Sequence, residues 1–275
     1  MDEDIFKESI FDKIEPQRGF SVQLDKLLLP KTQDWYFVSK WNEIFDQYTW
    51  ARIFLRKSSD EDYQGIFNEP EDSRIKRQME LSCSAQFYEI SLLYYNILVD
   101  LSWTITYVTA EYLIYSKDKN GEISESTEIK KFMSLEESYN ILRETENNVT
   151  SPHAYNNPFN YLKLMVPEFE EPIDMIINFW KKFSNSKIRK NYNYIKHKGK
   201  PNYKELEEAT PSVGLSLYID KTQIPSDIND VQLKIGLSES INELIQFDNE
   251  ELFPYLDKLL HKLEEIINPS PIVYK

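Results

Sequence analysis

Apolar side chains recur along this chain with two different periods, and the change of period divides it. From Asp34 to Arg56 the apolar positions Trp35, Phe37, Val38, Trp41, Ile44, Phe45, Tyr48, Ala51, Ile53 and Phe54 keep helical spacing. A polar stretch over 57–73 separates this helix from a long one predicted from about Arg74 to Tyr115. Gly121 lies in a turn-rich tract, and Ser134-Leu-Glu-Glu137 fits a capping box opening a short helix to about Glu146. Residues 147–158, with His153 among them, read as a loop. Pro172 suits the first turn of a further helix that runs to Lys198. Lysines in its last turn, then Gly199 and Pro201, end it. Ser184-Asn185-Ser186 can divide it, which would make the segment that follows a short helix of its own.

After residue 210 the period changes to two. Val213, Leu215, Leu217 and Ile219 alternate with Gly214, Ser216 and Tyr218, and Val231, Leu233, Ile235 and Leu237 with Gln232, Lys234 and Gly236. That pattern predicts an antiparallel β-hairpin near 212–238 whose loop holds Pro225. Because an isolated hairpin is marginal, its apolar face is expected to pack on the helices. Residues 240–268 return to helical spacing through Leu259, Leu260, Leu263, Ile266 and Ile267, with a possible break at Pro254. The expected organisation is an acidic, irregular lead-in over 1–34 and one mainly α domain over 35–275. Its parts are a helical bundle over 35–200, the hairpin over 211–239 and the C-terminal helix.

Composition agrees with helices and a sizeable core. Hydrophobic residues make up 41% of 275 residues, and only 6 are Gly. Ile90 to Tyr115 is long enough to span a bilayer, but Asp100, Glu111 and many Tyr, Ser and Thr side chains make a buried bundle helix the expectation. On that helix Tyr94, Tyr95, Trp103 and Tyr107 form an aromatic stripe, read as core or dimer interface. Asp100 is read as buried and paired, with a cation of the helix that ends at Lys198 or in an interhelical hydrogen bond. Cys83 is the single cysteine, so neither an internal disulfide nor a Cys-based zinc site is available; a buried structural thiol is expected. The acidic amino-terminal segment shows no signal-peptide pattern, which places the chain in the cytoplasm and leaves the Asn148-Val149-Thr150 sequon without a role. No P-loop, GxGxxG, His-x-Glu or His-Glu-x-x-His motif occurs, and three dispersed histidines do not make a metal site. No metal and no cofactor is expected.

The charge distribution singles out one segment. The net charge is −14, yet Lys181 to Lys200 carries eight Lys and Arg residues, His197 and no acid. With Arg189 at 0° and about 100° per helical residue, Asn193 falls at roughly 40°, Lys196 at roughly 340° and His197 at roughly 80°. Ile188 and Ile195 fall on another side, at roughly 260° and 240°. The isoleucines are therefore expected to face the core, and Arg189, Asn193 and His197 to project together. A histidine can take and return protons, an arginine can hold a phosphate in its planar fork, and an asparagine can orient either. These are the parts for metal-independent RNA cleavage by attack of a 2′-hydroxyl on the adjacent phosphate. Lys190, Lys196, Lys198 and Lys200 would then hold the backbone, and Tyr192 and Tyr194 would stack on bases. A merely solvated face, an anionic protein partner, or pairing with this chain's own acids at 168–171 or 205–208 account for the same charge.

The run Arg189 to Gly199, RKNYNYIKHKG, resembles the signature of the HEPN superfamily, helical bundles of prokaryotic defence and toxin–antitoxin systems. That signature is an arginine, a polar residue and then, after about four to six residues, a histidine. Tyr192 to Gly199 is similar to its YN-x-I-K-H-x-G form. Here seven residues separate Arg189 from His197, and Lys190 follows the arginine. The resemblance implies a homodimer whose motif helices face one another in a composite ribonuclease site. It implies Arg189 as the phosphate-binding arginine, His197 as the acid/base and Asn193 as an auxiliary group. Some members are non-catalytic, so a protein-interaction module with a degenerate motif is the alternative.

Overall fold

A computed structural model describes residues 32–59, 63, 72–118, 159, 162–163, 166–209 and 232–267. The described residues are mainly helical, as the periodicity predicts. In chain order they form α1 (Thr32–Ser59), α2 (Ser73–Asp118), a single 3-10 turn (Pro167–Phe169), α3 (Glu170–Phe183), α4 (Lys187–Lys198), β1 (Asn202–Tyr203), α5 (Lys204–Ala209), β2 (Lys234–Ile235), α6 (Leu237–Phe247) and α7 (Phe253–Ile267). The lead-in before Thr32, the turn at Gly121, the short helix over 134–146, the loop with His153 and the first expected strand at 213–219 lie outside the described residues.

The long helices α1 and α2 pair side by side, with Ala51, Ala85 and Ala110 completely buried among larger core side chains. Trp41 Nε1 donates to Thr109 Oγ1 at 3.3 Å and Ser91 Oγ to the Ala51 carbonyl at 3.0 Å. The remaining helices close over this pair with aromatic contacts. Trp103 of α2 meets Trp180 of α3 edge-on at 4.7 Å between ring centroids, and Phe179 stacks on Tyr255 of α7 at 3.9 Å. Tyr95 and Trp103 of the aromatic stripe are buried in this core, while Tyr94 and Tyr107 are half-buried. Among the described residues, no helix is long and apolar enough to cross a membrane.

The sheet corrects the expected hairpin. Asn202 and Tyr203 pair with Lys234 and Ile235 in parallel, so the strand observed at β2 has a partner other than the one the alternation proposed. The reason lies at Gly236, where the chain turns into α6. Glu205 accepts the Leu237 and Ser238 N–H groups at 2.8 and 3.0 Å, satisfying the first turn of α6 and holding its carboxyl below the ordinary range. Ile235 and Leu237 are both buried, as a strand reading requires, but Leu237 is buried from a helix.

Pro254 marks a widening rather than a break. One π turn, Asp248–Leu252, joins α6 to α7, and the Phe253 N–H bonds the Asp248 carbonyl five residues back. This turn places Asp248 in the core, 0% exposed, where Oδ1 accepts from the Tyr48 hydroxyl at 2.9 Å and Oδ2 lies 3.1 Å from Arg52 Nε. Burial pushes the Asp248 carboxyl up to about 6, with Arg52 and the Tyr48 hydrogen bond pulling in the opposite direction.

A carboxyl whose pKa is raised by folding stabilises the fold while protonated and loses that contribution as pH rises through the folded value. Relative to Asp248→Asn, the wild-type chain should therefore lose about 3 kcal/mol of stability between pH 3 and pH 7. Urea-unfolding free energies of both proteins across that range measure it. A gap that moved the other way would show Asp248 to be an ordinary carboxylate stabilised by Arg52.

Candidate nucleic-acid interface

The break between α3 and α4 is local chemistry. Asn185 Nδ2 donates to the Lys181 carbonyl at 3.1 Å, closing the end of α3, and Ser186 caps α4 by accepting the Arg189 N–H at 3.1 Å. The basic segment is thus a helix of its own, Lys187–Lys198. It stops at Gly199, whose φ of 100° is disfavoured for any residue with a Cβ.

Burial along α4 divides the expected trio. Ile188 and Asn191 are buried and Tyr192 and Ile195 half-buried, so the inward face is centred on the isoleucines, as the sequence predicts. Arg189 borders that face and turns inward, 8% exposed. Its Nη1 donates to Asn96 Oδ1 of α2 at 2.9 Å, and Asn96 is in turn oriented by donating Nδ2 to the Leu92 carbonyl at 2.8 Å. The rings of Trp180, Tyr192 and Phe183 surround the guanidinium carbon at 5.2, 5.2 and 5.9 Å. Asn193 and His197 project to solvent instead. Eight helical steps also set Arg189 and His197 about 12 Å apart along the axis. One copy of α4 therefore does not bring Arg189 and His197 onto one phosphate.

Asn191 Nδ2 donates to the Tyr88 hydroxyl at 3.3 Å, a second polar link from α4 to α2. Burial pushes the Tyr88 phenol up to about 12. Neither link involves the acid marked from sequence: Asp100 is exposed on α2. Asn96, one turn earlier, holds the position expected for it. Asn96 shares the buried stripe of Leu92, Tyr95, Val99 and Trp103, whereas Asp100 shares the exposed stripe of Ile90 and Leu93. Its place between i−4 and i+3 apolar neighbours was the signal that could have found it.

The end of α4 is tied down by the two strands. Tyr194 Oη accepts the Leu233 N–H at 2.9 Å, Gln232 Nε2 donates to the Lys200 carbonyl at 2.7 Å, and the buried Tyr203 donates to Glu89 of α2 at 2.9 Å. Tyr192 and Tyr194 are both half-buried, and Lys196 Nζ lies 5.7 Å from the Tyr192 ring centroid.

Outside, Lys181, Lys182, Lys190, Asn193, Lys196, His197, Lys198 and Lys200 are all exposed. Of the acids that were candidates to neutralise them, Glu171, Glu205 and Glu207 are engaged elsewhere. Glu171 faces Lys258 and Lys262 of α7 at 4.0 and 3.5 Å, Glu205 caps α6, and Glu207 pairs with Lys234 at 2.5 Å. Lys187 alone among the α4 lysines forms salt bridges within the described residues, to Glu239 and Glu243 at 2.9 and 2.6 Å, and these carboxylates raise its pKa. Cys83 is half-buried and burial raises its thiol pKa, the opposite of activation. His261 is exposed beside its own helix carbonyl at Asp257. No group of His, Cys, Asp and Glu among the described residues could hold a metal ion. Comparison with protein-family models, with curated proteins and with solved structures finds no match to this chain.

Removing either partner of the Arg189–Asn96 bond should destabilise the fold by about 2–3 kcal/mol, because a buried polar group loses its partner. The two losses should not add: a double-mutant cycle with Arg189→Met and Asn96→Leu, read by urea unfolding, should return a coupling of about 1–3 kcal/mol. Additive losses would show that the bond carries no stability of its own.

Proposed function

We propose that this chain is a HEPN-like RNA-binding module that engages RNA through the outer face of α4 and does not cleave it. The observation that carries the reading is the cluster of exposed lysines in one segment, Lys181, Lys182, Lys190, Lys196, Lys198 and Lys200, in a chain of net charge −14. Like charges gathered in one short segment repel one another, and a polyanion relieves that repulsion while releasing its own counterions. The net negative charge of the rest of the chain repels the same polyanion, which favours binding at this segment. Among the described residues, Glu171, Glu205 and Glu207 support the reading by engaging α7, α6 and β2 instead.

Cleavage receives less support. It needs a cation and a proton-transfer group on one phosphate, and Arg189 is committed to Asn96 and three rings while His197 stands outside. The homodimer implied by the resemblance belongs to this proposal as a means of doubling the phosphate contacts, with a second α4 beside the first.

Binding of a fluorescent single-stranded RNA, followed by anisotropy, tests the reading. Lys190→Glu combined with Lys198→Glu should weaken it at least tenfold. The affinity of the wild type should fall steeply as salt rises, with a log–log slope of about −3 if roughly four phosphates are engaged. A flat salt response would remove the electrostatic basis. Metal-free cleavage that disappears in His197→Ala, in a variant with the wild-type circular dichroism spectrum, would replace binding by catalysis.

A further inference from the structure

Resting on that reading, we infer that α4 reads the phosphodiester backbone of RNA alone: neither tyrosine of the basic segment stacks on a base, and affinity does not depend on base sequence. The two aromatic residues within the lysine cluster are the groups that would give it a base-stacking platform. Both are already used by the fold. The Tyr192 ring is half-buried with the Arg189 guanidinium carbon 5.2 Å and Lys196 Nζ 5.7 Å from its centroid. A base that stacked there would compete with these cations for the ring. Displacing Arg189 would also break its bond to Asn96. The Tyr194 hydroxyl accepts the Leu233 N–H at 2.9 Å, and this N–H directly precedes the strand pair that holds the end of α4. Swinging Tyr194 outward would leave that N–H unbonded.

What remains outside is a straight ridge. Lys190, Asn193 and His197 lie three and four residues apart, the spacing of neighbours on one helix face, and span about 10 Å. Lysines at 196, 198 and 200 flank its far end, and lysines at 181 and 182 lie beyond the break at its near end. Ammonium groups bind phosphates as point charges and carry no base code. Asn193 is the one amide on the ridge, too little to distinguish four bases over several nucleotides. His197 is its one ring, and a stacked ring accepts any base because every base has a π-face.

The test uses the full chain and four unpaired, fluorescein-labelled 16-nucleotide RNAs: oligo-U, oligo-C, oligo-A and a mixed sequence. Their dissociation constants should agree within about threefold at one salt concentration and share one salt slope. Tyr194→Leu should change affinity less than twofold while lowering the unfolding temperature. A tenfold preference for one homopolymer overturns the inference without any variant. So does a tenfold loss in Tyr194→Leu when its circular dichroism matches the wild type. Absence of binding to all four RNAs at low salt is a separate failure, which overturns the RNA-binding reading itself and this inference with it.

Discussion

The Arg189 guanidinium sets which side of α4 faces water. Burying a cation is costly unless its donors are met, and here an amide oxygen from α2 and three aromatic rings meet them. Once Arg189 points at Asn96, Ile188 and Asn191 follow it inward, and Lys190, Asn193 and His197 have only the outside left. The rings that hold the guanidinium are also core residues: Phe183 stacks on Phe179 and on Phe247 of α6, and Trp180 meets Trp103 of α2. A single polar bond thus couples the orientation of the surface to the packing of four helices.

The same arrangement explains why a motif with both an arginine and a histidine separates into two roles. On a helix, residues eight apart lie close in angle, and angle alone suggests a shared site. Length and chemistry decide otherwise. Arginine's long stem lets a residue at the edge of the buried face place its charge inside, whereas the short imidazole of His197 follows its Cβ into solvent. The stem of Arg189 is what the angular calculation leaves out.

Much of the fold was legible because it rests on periodicity. The extents of α1, α2 and α4, the break near Ser184 to Ser186 and the stop at Gly199 follow from apolar spacing and cap chemistry. What was not legible depends on partners far away in sequence. The alternation over 231–237 correctly marks Ile235 and Leu237 as inward, but only Glu205, some thirty residues earlier, turns Leu237 into the start of a helix. Asp100 drew attention as an acid in an apolar run, yet Ile90 and Leu93 on its face are exposed, so that face never needed burying. Asn96, uncharged and inconspicuous, fills the polar role in the core. For the site, charge and exposure of the lysines were readable; the commitment of Arg189, Tyr192 and Tyr194 to the interior was not, since each depends on a residue of another element.

The contact between Tyr48 and Asp248 joins residues 200 positions apart. Asp248 sits on the π turn that Pro254 accompanies, and it reaches back to both Tyr48 and Arg52 of the first described helix. A chain emerging in order from its amino terminus can pair α1 with α2 early, through contacts that are close in sequence. Arg52 then waits on the surface of this helix pair without the carboxylate until Asp248 has been made. Completion of this core, and with it the seat for α3 and α4, therefore waits on a long-range contact, in which the turn between α6 and α7 locks α1.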